Sequence, residues 1–352
     1  MRVGLHLGYQ NMHGDPDVQT FMQETNLAVE AEAMGFDYVG TVEHHFTDYA
    51  ACPAPFEVLS YLAAKTNTIE LMTAAVILPW NNPLRVVEQA LQLDILSGGR
   101  LILGMGRGAA RREFRSFGVE LADSREMFDE AALIIMEGIE TGIVEADTKW
   151  YQIPRTEVRP RPFKSFKDRT VMVSMSPSSV EVAANYGLKT LRFSQGDWRN
   201  AIPEINHYKE TFQAVNGRPS PPFIISDFVL CFEDQERVSQ YCDKYFSKMF
   251  ATVANHYEFM SDHFKELPSY STYAYMGEAA AAAGGPDKAY RDYISGNMIG
   301  TPEALVEHHR IRQEMVGDYE MLANFSWGGM PYEYVYEQMK LFADKVLPDL
   351  KG

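Results

Sequence analysis

Short apolar segments rich in β-branched residues alternate with longer helix-patterned segments along this chain, and that alternation restricts the fold more than any other feature. The strand candidates are Val3–Gly8, Tyr38–Val42, Ile69–Leu78, Leu101–Gly106, Val171–Ser174, Thr190–Phe193, Phe223–Cys231 and Met321–Phe325. Helical patterns such as Val18–Met34, Pro83–Leu96 and Ser124–Gly138 lie between them. Gly35 stands where a helix would end in a left-handed residue, and Asn82-Pro83 and Thr301-Pro302-Glu303 read as helix starts with proline in the first turn. A strand followed by a helix, repeated about eight times, predicts a parallel sheet closed as a (β/α)8 TIM barrel. No linker divides the 352 residues, so 1–352 reads as one domain. Residues 107–170 and 232–320 are too long for one strand–helix unit each, which predicts insertions after strand four and around strands seven and eight. The alanine-rich stretch 275–290 fits a helix ending at Gly284-Gly285 or a loop, and residues 270–295 are expected to form a lid.

Charge and cysteine content narrow the partners. Thirty-two Lys and Arg against 48 Asp and Glu give a net charge of −16. Such a surface repels phosphate backbones and anionic headgroups, so neither nucleic acid nor a membrane is an expected partner. No apolar run approaches the roughly 18–20 residues that cross a bilayer, and no secretory signal is read at MRVGLHLGYQ. Cys52, Cys231 and Cys242 form no metal-type spacing, and three cysteines beside 18 methionines fit a reducing cytoplasm.

Barrel enzymes carry their chemistry at the C-terminal ends of the strands. Strand two ends in Glu43-His44-His45, strand three near Thr73-Ala74-Ala75, strand four in Gly104-Met105-Gly106-Arg107-Gly108, and strand five in Ser174-Met175-Ser176-Pro177-Ser178-Ser179. Adjacent residues on an extended chain face opposite ways, so His44 and His45 are not expected to grip one ion; no third ligand accompanies them, and no metal site is read. GMGRG at 104–108 fits either a tight turn or a loop that lets a ligand approach the backbone, with Arg107 as a fixed cation. SMSPSS at 174–179 fits either a plain helix cap or a phosphate seat at a helix N-terminus.

Six stretches together resemble the bacterial luciferase-like flavin-dependent monooxygenases, the family of the luciferase α subunit, over nearly the whole length. They are GFDYVGTVEHHFTDY (35–49), TAAVILPWNNPLRVVEQALQLDILSGGRLILGMGRG (73–108), EFRSFGVELADSREMFDE (113–130), VRPRPF (158–163), GTPEALVEHHR (300–310) and MKLFADKVLPDLK (339–351). The resemblance implies reduced FMN bound at the barrel mouth. It implies a catalytic role for His44 and a cis peptide at Ala74-Ala75 under the flavin ring. Family phosphate contacts fall on Arg107, Met175, Ser176 and Ser179. Gly106 replaces a reactive cysteine of the α subunit, Ala109 and Ala110 replace bulkier side chains, and Met175 replaces a glutamate, so the pocket near the flavin is reshaped. Phe46, Met105 and Phe114 are expected to supply apolar wall.

The implied activity is oxygenation of a small apolar organic molecule, such as an aldehyde or ketone, with reduced FMN and O2 through a C4a-peroxyflavin. Reduced flavin would come from a separate reductase, because no second nucleotide-binding fingerprint follows a strand. A homodimer or a related heterodimer is expected. Two other readings remain open: a dehydrogenase of the same superfamily using the deazaflavin F420, and a flavin-binding subunit without turnover.

Overall fold

The computed structural model describes residues 1–12, 14–258, 264, 270 and 291–352. Eight parallel strands close into a barrel: Val3–Leu7, Tyr38–Thr41, Glu70–Thr73, Leu101–Gly106, Thr170–Val173, Lys189–Phe193, Phe223–Cys231 and Tyr319–Asn324. They are called strands one to eight here. Strand one pairs with strand two and also with strand eight, with Gly4 opposite both Tyr38 and Leu322. Each predicted strand is present, and the fourth and seventh have the predicted bounds.

Both faces of the sheet are buried, which explains why its strands read as continuous apolar runs rather than as alternation. Inside the barrel, Tyr38, Met72, Ile102, Val171, Leu191, Ile224 and Leu322 form one cluster. Outside, Val3, Leu5, Leu7, Val39, Leu71, Leu101, Leu103 and Met105 pack in the larger core that includes the helices. The interior has room for Tyr38 because its neighbour on strand one is Gly4; a Cβ there would lie 2.3 Å from the Tyr38 ring. The Tyr38 hydroxyl donates to the Met321 carbonyl at 2.8 Å, so the one polar atom of that ring is satisfied.

Strand three departs from its expected extent of Ile69–Leu78. It stops at Thr73, resumes as Val76–Ile77 and passes into the turn Leu78–Trp80. Ala74 and Ala75 occupy the break, and the peptide bond between them is cis. The break is held from both sides: the Ala74 N–H donates to the Thr41 carbonyl at 2.7 Å, and Thr73 Oγ1 bonds both the N–H and the carbonyl of Gly104 at 2.8 Å. Gly104 permits this approach, since a Cβ there would lie 1.9 Å from the Thr73 carbonyl oxygen.

Both insertions are present. After strand four come the helices Arg111–Phe117 and Ser124–Thr141, closed by the left-handed Gly118 and Gly142. An antiparallel hairpin, Ile143–Asp147 with Gln152–Glu157, follows. Between strands seven and eight lie the helix Gln235–Tyr241, a π-turn Cys242–Phe246 and the helix Ser247–His256. A short strand, Met298–Gly300, pairs with strand seven. The alanine-rich stretch 275–290 and most of the expected lid 270–295 lie outside the described residues. Asn82 and Thr301 cap their helices as expected, accepting from Leu84 N and Ala304 N. Cys52, Cys231 and Cys242 are buried free thiols. Among the described residues, no helix is long and apolar enough to cross a membrane.

Candidate active site

The ends of strands two to six meet in one cavity. His44, Ala74, Ala75, Gly106, Arg107, Ala109, Met175, Ser176 and Ser179 all line it, together with Glu113, Arg125, Phe193, Tyr257 and Tyr270. Ala75 and Gly106 form a narrow shelf. A Cβ on Gly106 would meet Ile77 Cδ1 at 2.9 Å and the Ala75 methyl at 3.2 Å, so a side chain there would have to push the Ile77 tip aside and would narrow the cavity.

One end of the cavity gathers cations and hydroxyls at a helix start. Ser176 caps the nine-residue helix Pro177–Asn185, exchanging hydrogen bonds with Ser179 in a reciprocal box. The start of that helix is the positive end of its dipole and favours an anion. Arg107 stacks on the Tyr270 ring with its guanidinium carbon 3.9 Å from the centroid, while the Tyr270 hydroxyl donates to the Gly108 carbonyl at 2.8 Å. A second cation, Arg125, comes from the helix Ser124–Thr141 and was missed in the sequence. Its Nη2 donates to Ser178 Oγ at 3.3 Å. Its Nη1 is buried without a hydrogen bond among the described residues, 3.8 Å from Asp129. Burial, reinforced by the nearby Arg107, lowers the Arg125 pKa. Two guanidiniums at one helix start repel each other unless an anion lies between them. These donors fit a phosphate group.

The other end holds the histidines. His44 Nδ1 lies 3.1 Å from Glu113 Oε1, and its Nε2 lies 3.3 Å from the Tyr257 hydroxyl. Glu113 is almost fully buried and also accepts the His45 backbone N–H at 2.7 Å. A carboxylate on Nδ1 fixes the tautomer in which Nδ1 carries the proton and Nε2 offers its lone pair. His256 closes the group, with its Nε2 3.6 Å from the same Glu113 oxygen and its Nδ1 2.8 Å from Thr47 Oγ1. The sequence showed no third ligand for His44, yet donor atoms of His44, Glu113 and His256 lie within 4.8 Å of one another and could hold a divalent cation. The 3.1 Å contact is also of ordinary hydrogen-bond length, and that is the role used below.

His45 turns away from the cavity, as the alternation of an extended chain predicts, with its Nε2 3.4 Å from Glu43 Oε1 and its ring against Phe117. Glu43, which contacts His45, also accepts from Ile77 N, Trp80 Nε1 and Asn81 Nδ2, and so secures the strand-three turn. Some residues expected as pocket wall lie elsewhere. Phe46 does not form cavity wall, because a left-handed backbone (φ 65°) leaves it 63% exposed. Met105 faces the outer core because strand alternation puts its neighbours Gly104 and Gly106 on the other face. Ala110 is buried at the start of the helix Arg111–Phe117, and Phe114 packs edge-on against Trp80; neither lines the cavity.

Residues 1–319 match the family model described as Luciferase-like monooxygenase. The chain belongs to that family. The alkanal monooxygenase alpha chain of Photobacterium leiognathi is 26% identical over 345 residues, covering 96% of each chain. Among solved structures, monooxygenase RslO1 from Streptomyces bottropensis superposes with TM-score 0.83 at 23% identity, covering 99% of this chain and 100% of that one. The oxygenating constituent of 3,6-diketocamphane monooxygenase from Pseudomonas putida, in complex with FMN, gives 0.74 at 17% identity, covering 99% and 98%. An F420-dependent secondary alcohol dehydrogenase gives 0.75 at 14% identity, covering 100% and 99%. At these identities the structures show the fold that this luciferase-like chain shares with them.

The buried histidines give this luciferase-like monooxygenase a pH signature. Burial, together with the neighbouring His44, lowers His256 to about 2 and His6 to about 4. In the unfolded chain both titrate near 6.5, so below that pH the unfolded state takes up protons that the folded state refuses. The stability these two groups contribute is therefore expected to fall as pH drops from 6.5 toward 4, by about 2 kcal/mol for each, about 4 kcal/mol together, between pH 7.5 and 5. Urea unfolding at the two pH values checks this, and His256→Phe is expected to flatten the slope.

Proposed function

We propose that this chain is an oxygenase that uses reduced FMN and O2 to oxygenate a small organic molecule at the barrel mouth. The observation that carries this reading is a single cavity joining a dianion seat to an imidazole oriented by a buried carboxylate. The names of its relatives support it: an alkanal monooxygenase, and a diketocamphane monooxygenase solved with FMN. When bound, reduced FMN supplies the electrons that activate O2.

The chain's residues do the rest. Arg107, Arg125 and the Ser176–Ser179 turn hold the phosphate. The shelf of Ala74, Ala75 and Gly106 admits a flat ring. Ile77, Val173, Met175 and Phe193 keep water from that part of the cavity. Glu113 orients His44, whose Nε2 takes or returns a proton beside the reacting atoms, with the Tyr257 hydroxyl in reach. One oxygen atom of O2 enters the product and the other leaves as water. A separate reductase delivers the reduced flavin, and the chain works in the cytoplasm as a homodimer or with a related subunit.

The rival reading, hydride transfer with the deazaflavin F420, is favoured by the structural likeness to an F420-dependent alcohol dehydrogenase. Oxygen uptake with photoreduced FMN and a panel of aldehydes and ketones under 18O2 separates the two. The oxygenase reading requires coupled uptake and one labelled atom in the product. Reduction or oxidation of F420 without oxygen uptake establishes the rival, and FMN binding with no turnover leaves a non-catalytic subunit.

A further inference from the structure

The barrel interior changes character in its last layer before the mouth. The lower layer contains Val171, Leu191, Ile224 and Leu322 and is apolar. Two residues further along each strand, on the same face, stand Val173, Phe193, Ser226 and Asn324, and on strand one Gly4 is followed by His6. Strands five and six therefore present apolar groups to the mouth, whereas strands one, seven and eight present an imidazole, a hydroxyl and an amide. The polar half lines a second cavity, and His44, Phe193 and Tyr257 line both cavities.

His6 is the unusual member of this layer. It is 7% exposed, and neither ring nitrogen has a hydrogen-bond partner among the described residues. Desolvating an imidazole without partners is unfavourable, and such a group in a native interior calls for a ligand or bound water. The acid among the described residues lining this cavity is committed elsewhere: Asp227 is paired in two hydrogen bonds with the fully buried Arg312. His6 stays neutral at physiological pH. A neutral imidazole offers one donor and one acceptor on opposite edges of the ring. A hydroxyl group, which both donates and accepts, matches either edge, and the Ser226 and Asn324 side chains stand in the same cavity to share it. Five rings, Tyr49, Phe193, Phe228, Tyr257 and Tyr293, line the same cavity, with Val42, Met249 and Val253 among the other wall residues. Flat aromatic walls favour a cyclic skeleton that can stack on them.

We propose that His6 hydrogen-bonds a hydroxyl group of a cyclic substrate in this inner cavity, so that the protein selects hydroxylated ring compounds over analogues lacking the hydroxyl. This assignment rests on the oxygenase reading, which places the flavin in the outer cavity and leaves the inner one to the substrate.

The test uses the FMN-loaded protein with 4-hydroxyacetophenone and acetophenone, a pair differing by one hydroxyl, measured by isothermal titration. The wild-type protein is expected to prefer the hydroxylated ketone by about tenfold, the value of one hydrogen bond. In His6→Phe the preference should fall to about one, with FMN affinity unchanged. His6→Gln keeps a donor and an acceptor and should retain part of the preference; it also serves if the phenylalanine variant does not fold. Equal affinity of the wild type for the two ketones, failure to bind either, or a preference that survives in both variants overturns the proposal. A drop in FMN affinity in His6→Phe also overturns it, because the imidazole then serves the cofactor. If the preference behaves as expected but no member of the aldehyde and ketone panel supports oxygen uptake, the oxygenase reading fails, and His6 is left as a hydroxyl-binding residue of the cavity without a role in oxygenation.

Discussion

His44→Ala is expected to bind FMN as the wild type does and to lose coupled turnover by about 10²–10⁴-fold, the range for a missing general acid or base. Binding should survive because the phosphate seat at Arg107, Arg125 and Ser176 is built from strands four and five and the helices after them, not from strand two. Turnover should fall because Nδ1 is engaged by Glu113, which leaves Nε2 as the imidazole position able to move a proton. Oxygen should still be consumed, and the electrons should appear as hydrogen peroxide. An oxygen electrode with a peroxide assay measures both. Glu113→Gln gives a graded control: the amide leaves Nδ1 without its carboxylate and should shift the pH profile of turnover more than the affinity for substrate. Full coupling in His44→Ala would sink the assignment.

The double variant Arg107→Ala/Arg125→Ala is expected to weaken FMN binding by about 10²–10⁴-fold. Each hydrogen bond to a charged group contributes about 1.5–3 kcal/mol, and the two sites act on the same dianion. Riboflavin lacks the phosphate, so its affinity should be the same for both proteins. Fluorescence titration with the two ligands, repeated at low and high salt, provides the measurement. The wild-type preference for FMN should shrink as salt rises, and the variant's should not. Equal losses for FMN and riboflavin would mean that the guanidiniums hold the pocket's shape rather than the phosphate.

The barrel was legible because a parallel sheet buried on both faces writes each strand as an uninterrupted apolar run. The hairpin Ile143–Asp147/Gln152–Glu157 left no such trace: its second strand is largely exposed and its residues are polar. Residues at strand ends were found in the sequence because the fold itself marks those places, and so His44, Ala74, Gly106 and Ser176 line the cavity. Glu113, Arg125, His256 and Tyr257 were missed as site residues because they sit inside insertion helices or just after one, where an acid or a base reads as a solvated face. The signal for Glu113 existed: EFRSFGVELADSREMFDE had been matched to the family as a block, and its first residue is the carboxylate beside His44. Phe46 and Met105 were misassigned because proximity in sequence to a functional residue was taken as proximity in space. The backbone turns Phe46 outward, and the pleat turns Met105 to the other face.

Glu113 comes from the insertion after strand four, and His256 and Tyr257 come from the insertion before strand eight, so the proton apparatus around His44 is stitched together across two separate excursions of the chain. The dianion seat takes Arg125 from the first of them and, from the second, the Tyr270 ring that stacks on Arg107. The cations of the seat and the groups around the imidazole therefore come largely from different parts of the chain. A chimera that kept the barrel and the first insertion but exchanged the second would keep both guanidiniums and the Ser176–Ser179 turn, while losing the Tyr257 hydroxyl, the second imidazole and the Tyr270 ring on Arg107. Relatives can diverge in chemistry by replacing one loop excursion, without disturbing the shelf or the strands that carry it.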